Sequence, residues 1–256
     1  MQQPEGVRST LAQVVAEQKR FVSPGRVLLD AIAEQGLNAS VEFDLTITGA
    51  LPSLRRKPRY PARNLFTVRD LSREPAAPDV PPLHTTSGWV QVPPDLWDDP
   101  DAFETFVNYR LIVRLATAEN HTLLRAADGL LQQPAIERRP VGSSLGRAIV
   151  AGCDELAEAD GLILNPIDYY DFLGSGTLMA ALEQDGLLIV RTRLVDPGTA
   201  IIGAFERGAL LADAGRSLIR FAEPPPGTFA EPGIGLTAQI YERVQVSRPD
   251  RFLVVT

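Results

Sequence analysis

The chain is poor in the residues that most often carry chemistry. It holds one cysteine, Cys153, and two histidines, His84 and His121, among 256 residues. A lone cysteine forms no internal disulfide and has no second thiol with which to hold a metal. Cys153 therefore reads as a small apolar residue on a helix. The histidines show no H-x-x-x-H or H-E-x-x-H spacing, which disfavours a metal site built on them. Long apolar runs are missing as well, and no stretch approaches the roughly 20 residues of a membrane-spanning helix. The opening residues, MQQPEGVRST, lack the basic-then-apolar order of a secretory signal, so a cytoplasmic location is expected. There is no basic excess. A formal net charge of -7 argues against nucleic-acid binding over the whole surface, which depends on counterion release by many Lys and Arg.

Phosphate-binding loops are absent too. No G-x-G-x-x-G follows a strand, and the glycine cluster FLGSGT lacks the lysine and the preceding strand of a Walker loop. Ser143 and Ser144 have no histidine or lysine nearby, and capping of the next helix explains them. The carboxylates of DPDAFE, CDELAEAD and NPIDYYD fall in first helical turns or on polar helix faces, their ordinary places. No catalytic, cofactor-binding or metal-ligating residues are assigned, and the chain is expected not to be an enzyme. A small-molecule enzyme with an unrecognised site is the rival from another class.

What is present is an order of elements. Leu11, Val14 and Val15 recur at helical spacing in STLAQVVAEQKRF and predict an N-terminal arm helix, closed by the break Ser23-Pro24-Gly25. RVLLDAIAEQG predicts a second helix that stops at Gly36. Val41, Phe43, Leu45 and Ile47 alternate with polar residues as in a half-buried strand. Residues 51–94 are rich in proline and arginine and have no helical period, with strand-like fragments only at 64–69 and 88–92. They predict a long extended excursion that another chain holds. Asp99 as cap, Pro100 at the first helical position, and the stripe Phe103, Val107, Leu111, Leu115 and Ala118 predict a long helix running towards Gly129. Beyond the polar linker QQPAIERRPVG come a helix capped by Ser143 or Ser144, the strand LILN, a helix opened by Asn165-Pro166, and alternating short elements. Two last strands lie around YERVQVSRPDRFLVVT. The class is α+β. The basic strip Arg55, Arg56, Lys57, Arg59 and Arg63 has three readings: a solvated loop, a contact with acidic surface on a neighbouring copy, or nucleic-acid contact.

In this order of elements the chain resembles the encapsulins and the tailed-phage major capsid proteins, which share the Hong Kong 97-type fold. LILNPIDYYDFL looks like the strand, Asn-Pro and helix stretch of capsid subunits, and YERVQVSRPDRFLVVT looks like their C-terminal strands. The resemblance implies an arm helix at 1–24, an extended loop at 41–97, a peripheral domain from 25–40, 98–140 and 237–256 with a spine helix, and an axial domain at 141–236. It implies a self-assembling icosahedral shell that encloses a cargo enzyme through a targeting peptide, with a phage or prophage capsid protein as the alternative. By the same analogy Gly174, Ser175 and Gly176 lie at a five-fold pore, and the basic strip belongs to the inter-subunit loop.

Overall fold

The computed structural model describes residues 23–43, 62–72, 82–156, 158–174, 178–225 and 234–256. The expected arm helix, the strand beyond Phe43, and loop residues 44–61 and 73–81 lie outside the described residues. The described chain forms two compact units, the first from parts of 23–43, 89–113 and 217–238, the second from parts of 62–88, 114–216 and 239–256.

In the first unit, helix α1 (Pro24–Gln35) begins where a break was expected. Ser23 Oγ accepts the Arg26 N–H at 3.2 Å, and Pro24 fills the first-turn position where a missing N–H costs nothing. Gly36, at φ +60°, ends the helix as expected. The N–H of Gly25 donates to Asn108 Oδ1 at 3.0 Å, and a Cβ on Gly25 would stand 2.7 Å from the Glu104 carbonyl oxygen. Glycine is what lets α1 lie against the next helix. Strand β1 (Ser40–Phe43) pairs antiparallel with the far end of β8 (Ala209–Phe221), from Ser40 opposite Arg220 to Phe43 opposite Ser217.

The long helix has three parts: α2 (Pro100–Phe106), a π-helical turn (Val107–Leu111) and α3 (Ile112–Arg125). Asp99 Oδ1 caps it, accepting from the N–H groups of Asp101 and Ala102 at 3.1 and 3.0 Å. Its buried residues repeat every four positions: Phe103, Val107, Leu111, Leu115, then Glu119 and Leu123. A regular α-helix turns about 100° per residue, so a strict four-residue stripe drifts by about 40° at each step. The wider π turn takes up part of that drift. The sequence reading placed Ala118 at the end of the stripe; the structure buries Glu119 there.

Strands β2 (Thr67–Asp70) and β3 (His84–Gln91) fall close to the expected fragments. With β1, β8 and β9 (Gly235–Val246) they make one sheet, in the order β1-β8-β9-β3 with β2 parallel to β8. In the second unit, a second sheet has the order β4-β10-β7-β5-β6, comprising β4 (Glu137–Arg139), β5 (Gly161–Leu164), β6 (Leu188–Arg191), β7 (Ala200–Gly203) and β10 (Phe252–Val255). Strands β4 and β10, expected with the spine, thus share a sheet with strands from 141–236. The reason is burial: every residue of β5, β7 and β10 is buried, so each needs a strand on both sides and cover on both faces.

One face of this sheet, with Ile163, Val190, Ile201 and Val254, packs with Leu123, Leu124 and Leu130. The other, with Leu162, Leu164, Ile202 and Leu253, packs under helices α4 (Leu145–Glu155), α5 (Pro166–Gly174) and α6 (Leu178–Gln184), through Ile149, Tyr169 and Leu182. Asn165 fixes the β5-to-α5 corner, accepting the Ile167 N–H at 2.9 Å and donating to the Val195 carbonyl at 2.8 Å. Asp168 accepts the Gly198 N–H at 2.9 Å and so ties α5 to the Asp196–Thr199 turn.

Gly88 of β3 lies so close to α3 that a Cβ would stand 2.6 Å from the Leu115 backbone nitrogen, whereas Gly174 faces open space. Gly88→Ala should destabilise the protein by about 1–3 kcal/mol in urea unfolding. Gly174→Ala should change it by no more than about 0.5 kcal/mol. Equal stabilities would contradict the close approach of β3 to α3.

Candidate functional site

Among the described residues no group of three or more His, Cys, Asp or Glu side chains is arranged to hold a metal ion. His121 lies exposed on α3. The Nε2 of His84 is 2.7 Å from Asp128 Oδ2, which Arg243 Nε also approaches to 3.0 Å. Cys153 is half-buried on α4; burial, with Asp185 nearby, pushes its thiol up to about 11, so it is not a thiolate nucleophile at neutral pH.

Two constellations stand out. The first is ionic and buried. Arg63, in the short turn Ala62–Leu65, donates to Glu119 Oε1 of α3 at 3.1 Å and to Glu242 Oε2 of β9 at 2.8 Å, and it also pairs with Asp213 of β8. Glu242 is 0% exposed and Glu119 2%. The neighbouring Ala62 N–H donates to Asn120 Oδ1 at 2.8 Å, so the turn is held to α3 twice. Of the basic strip, Arg63 is the described member, and the acids that hold it belong to its own chain; Arg55, Arg56, Lys57 and Arg59 lie outside the described residues. The three acids were not singled out in the sequence. The signal was there for two of them: Glu119 falls on the four-residue apolar stripe, and Glu242 alternates with buried Ile240 and Val244.

The second constellation is apolar and exposed. Ile167, Tyr170 and Leu173, at three-residue intervals on α5, are 59%, 59% and 43% exposed. They share a helix face. Tyr169, on the opposite side, is buried, and the Arg191 guanidinium lies 4.4 Å from its ring centroid and 5.8 Å from that of Tyr170. The tyrosine pair is thus stiffened by a cation lying against it. In the same helical layer an open groove of roughly 500 Å³ is lined by Gly146, Arg147, Val150, Ala151, Asp154 and Leu178. Of the expected pore residues, Gly174 is the exposed last residue of α5, and Ser175 and Gly176 lie outside the described residues.

No protein-family model and no curated protein matches the chain. Solved structures do. The virus-like particle from Pyrococcus furiosus matches with a TM-score of 0.54 at 16% identity, over 69% of this chain and 78% of that one. The capsid of the empty GTA particle matches with a TM-score of 0.51 at 14% identity, over 78% and 90%. The chain has the Hong Kong 97-type capsid fold. The SrpI encapsulin complex from Synechococcus elongatus PCC 7942 is also similar, with a TM-score of 0.49 and 12% identity over 83% and 94%. The buried cluster pairs Arg63 with acids of its own chain, and the exposed face of α5 offers apolar surface.

Removing the Arg63 guanidinium would leave three carboxylates around a buried gap. Arg63→Met should cost about 3–5 kcal/mol in urea unfolding, because an uncompensated buried charge costs more than a lost surface pair. A loss below about 1 kcal/mol would show that water, not Arg63, balances the acids.

Proposed function

We propose that the chain is a shell subunit that assembles with copies of itself into a closed icosahedral encapsulin nanocompartment in the cytoplasm, enclosing a cargo enzyme that carries a targeting peptide. The capsid fold is the observation that carries this reading. The open apolar face of α5 supports it, since Ile167, Tyr170 and Leu173 are the kind of surface that a neighbouring subunit covers. No described helix is long and apolar enough to cross a membrane. The shell is catalytically silent, and needs no cofactor. Closed symmetry repeats one contact many times, so a contact that is weak in a pair holds a stable particle. In this arrangement Gly174, Ser175 and Gly176 lie at the five-fold opening, and the basic loop from Arg55 to Arg59 reaches a neighbour.

The similarity to GTA particle capsids favours a second reading, a phage or prophage capsid protein. Both readings predict self-assembly, and they part on contents. An encapsulin purified from its native host carries one enzyme at high copy number, whereas a capsid carries DNA and tail or portal proteins.

Electron microscopy and size-exclusion chromatography of the purified chain should show closed particles of uniform diameter. A chain that stays monomeric across salt and pH would overturn the shell reading. The double substitution Ile167→Asp and Tyr170→Asp should abolish particles while leaving the circular dichroism of the subunit unchanged. Particles that persist in this variant would show that the α5 face is not a subunit contact.

A further inference from the structure

The ionic cluster of the second unit does not balance. Three carboxylates, Glu119, Asp213 and Glu242, surround one guanidinium, that of Arg63. Glu242 Oε2 accepts from Arg63, but Glu242 Oε1 is buried and finds no donor among the described residues. Glu119 Oε1 and Glu242 Oε2 accept from one and the same nitrogen, Arg63 Nη1, at 3.1 and 2.8 Å, which brings the two carboxyls side by side. Two carboxylates held side by side repel, and a buried oxygen without a donor bears a desolvation cost. One proton between them removes both penalties.

We infer that Glu119 and Glu242 share a single buried proton beside Arg63, and that its loss at alkaline pH loosens the hold of α3 and β9 on the 62–72 segment. With the proton the cluster carries one net negative charge; without it, two. Burial first, then the facing Glu119 carboxylate, push Glu242 up to about 9, against the pull of Arg63. Burial likewise raises Glu119.

Among the described residues, the cations of neighbouring elements are turned away from the glutamate pair or paired elsewhere. Asp213 of β8 is a further acid acting on both glutamates. Its register partner on β2 is Asp70, which accepts from Ser72, and Arg69 of the same strand lies opposite Ala212. On β9, Arg243 follows Glu242, so its side chain leaves the opposite face of the strand, where Asp128 binds it. His84 of β3 pairs with the same Asp128. On α3, Arg125 pairs with Asp196 and His121 is exposed.

The sign follows from proton linkage. Above the ordinary glutamate range the unfolded chain has released this proton and the folded chain has kept it, so folding takes up one proton. The stability contributed is full below about 4.5 and declines as pH rises to about 9, by up to tenfold in the folding constant per pH unit. Glu242→Gln keeps the shape and supplies an N–H donor without titrating. Urea unfolding of wild type and Glu242→Gln from pH 5 to 9 should show the variant gaining on wild type by up to tenfold per unit. A difference that stays constant with pH overturns the proposal. Infrared difference spectra of the intact wild-type protein provide a measurement that does not depend on the variant folding. A protonated-carboxyl band should be present at pH 7, vanish towards pH 10, and be missing from Glu119→Gln. No such band at pH 7 in wild type also overturns it. Both measurements report on the subunit, so they stand or fall separately from the shell reading.

Discussion

Three neighbouring strands buried on both faces set the terms for the second unit. Strands β5, β7 and β10 are buried at every position, so their residues are apolar or glycine throughout, and both faces need cover. On one side α3 and the segments around Leu130 and Ile136 provide it; on the other α4, α5 and α6 do. The aromatic column Phe66, Phe205 and Phe252 adds edge-to-face contacts, with ring centroids 5.6 and 5.1 Å apart. The corner after β5 then has little freedom, and Asn165 closes it by satisfying backbone groups that the turn leaves unpaired. Because α5 spends Tyr169 on the core, the next residues on its other side, Ile167, Tyr170 and Leu173, are left outward.

The ionic cluster follows a different logic. Apolar packing is tolerant of small shifts, but a guanidinium with three carboxylates fixes direction as well as distance. Arg63 therefore sets the register between the Ala62–Leu65 turn and three distant segments, α3, β8 and β9. At this turn the ionic contacts add to apolar ones, since Ala62, Leu65 and Phe66 are buried in the core of the same unit.

Much of this architecture was legible in the sequence. The cap at Asp99, the stop at Gly36, the Asn165-Pro166 corner and the fully apolar LIL and FLVV runs are local signals, and local physics decided them. Three features were not legible. The π turn at 107–111 arises from fitting a four-residue stripe to a 3.6-residue helix, and it leaves no mark beyond that spacing. Strand β4, hidden in the polar segment ERR, exists because β10 needs a partner on its outer side. The cluster is assembled from residues as far apart as 63 and 242, so no window of sequence contains it, although Glu119 and Glu242 each stand out as acids on apolar faces.

The place of β10 bears on the order in which the second unit forms. This strand sits between β4 and β7, pairing parallel with one and antiparallel with the other. Until the ribosome has delivered residues 252–255, β7 lacks one neighbour, β4 has none, and both core layers face a gap in the middle of the sheet. Glu242, 179 positions after Arg63, reaches its cation almost as late. Non-local closure of this kind is slow and cooperative. The sheet of the second unit consequently closes only once residues 252–255 have been made, and its two core layers are completed together.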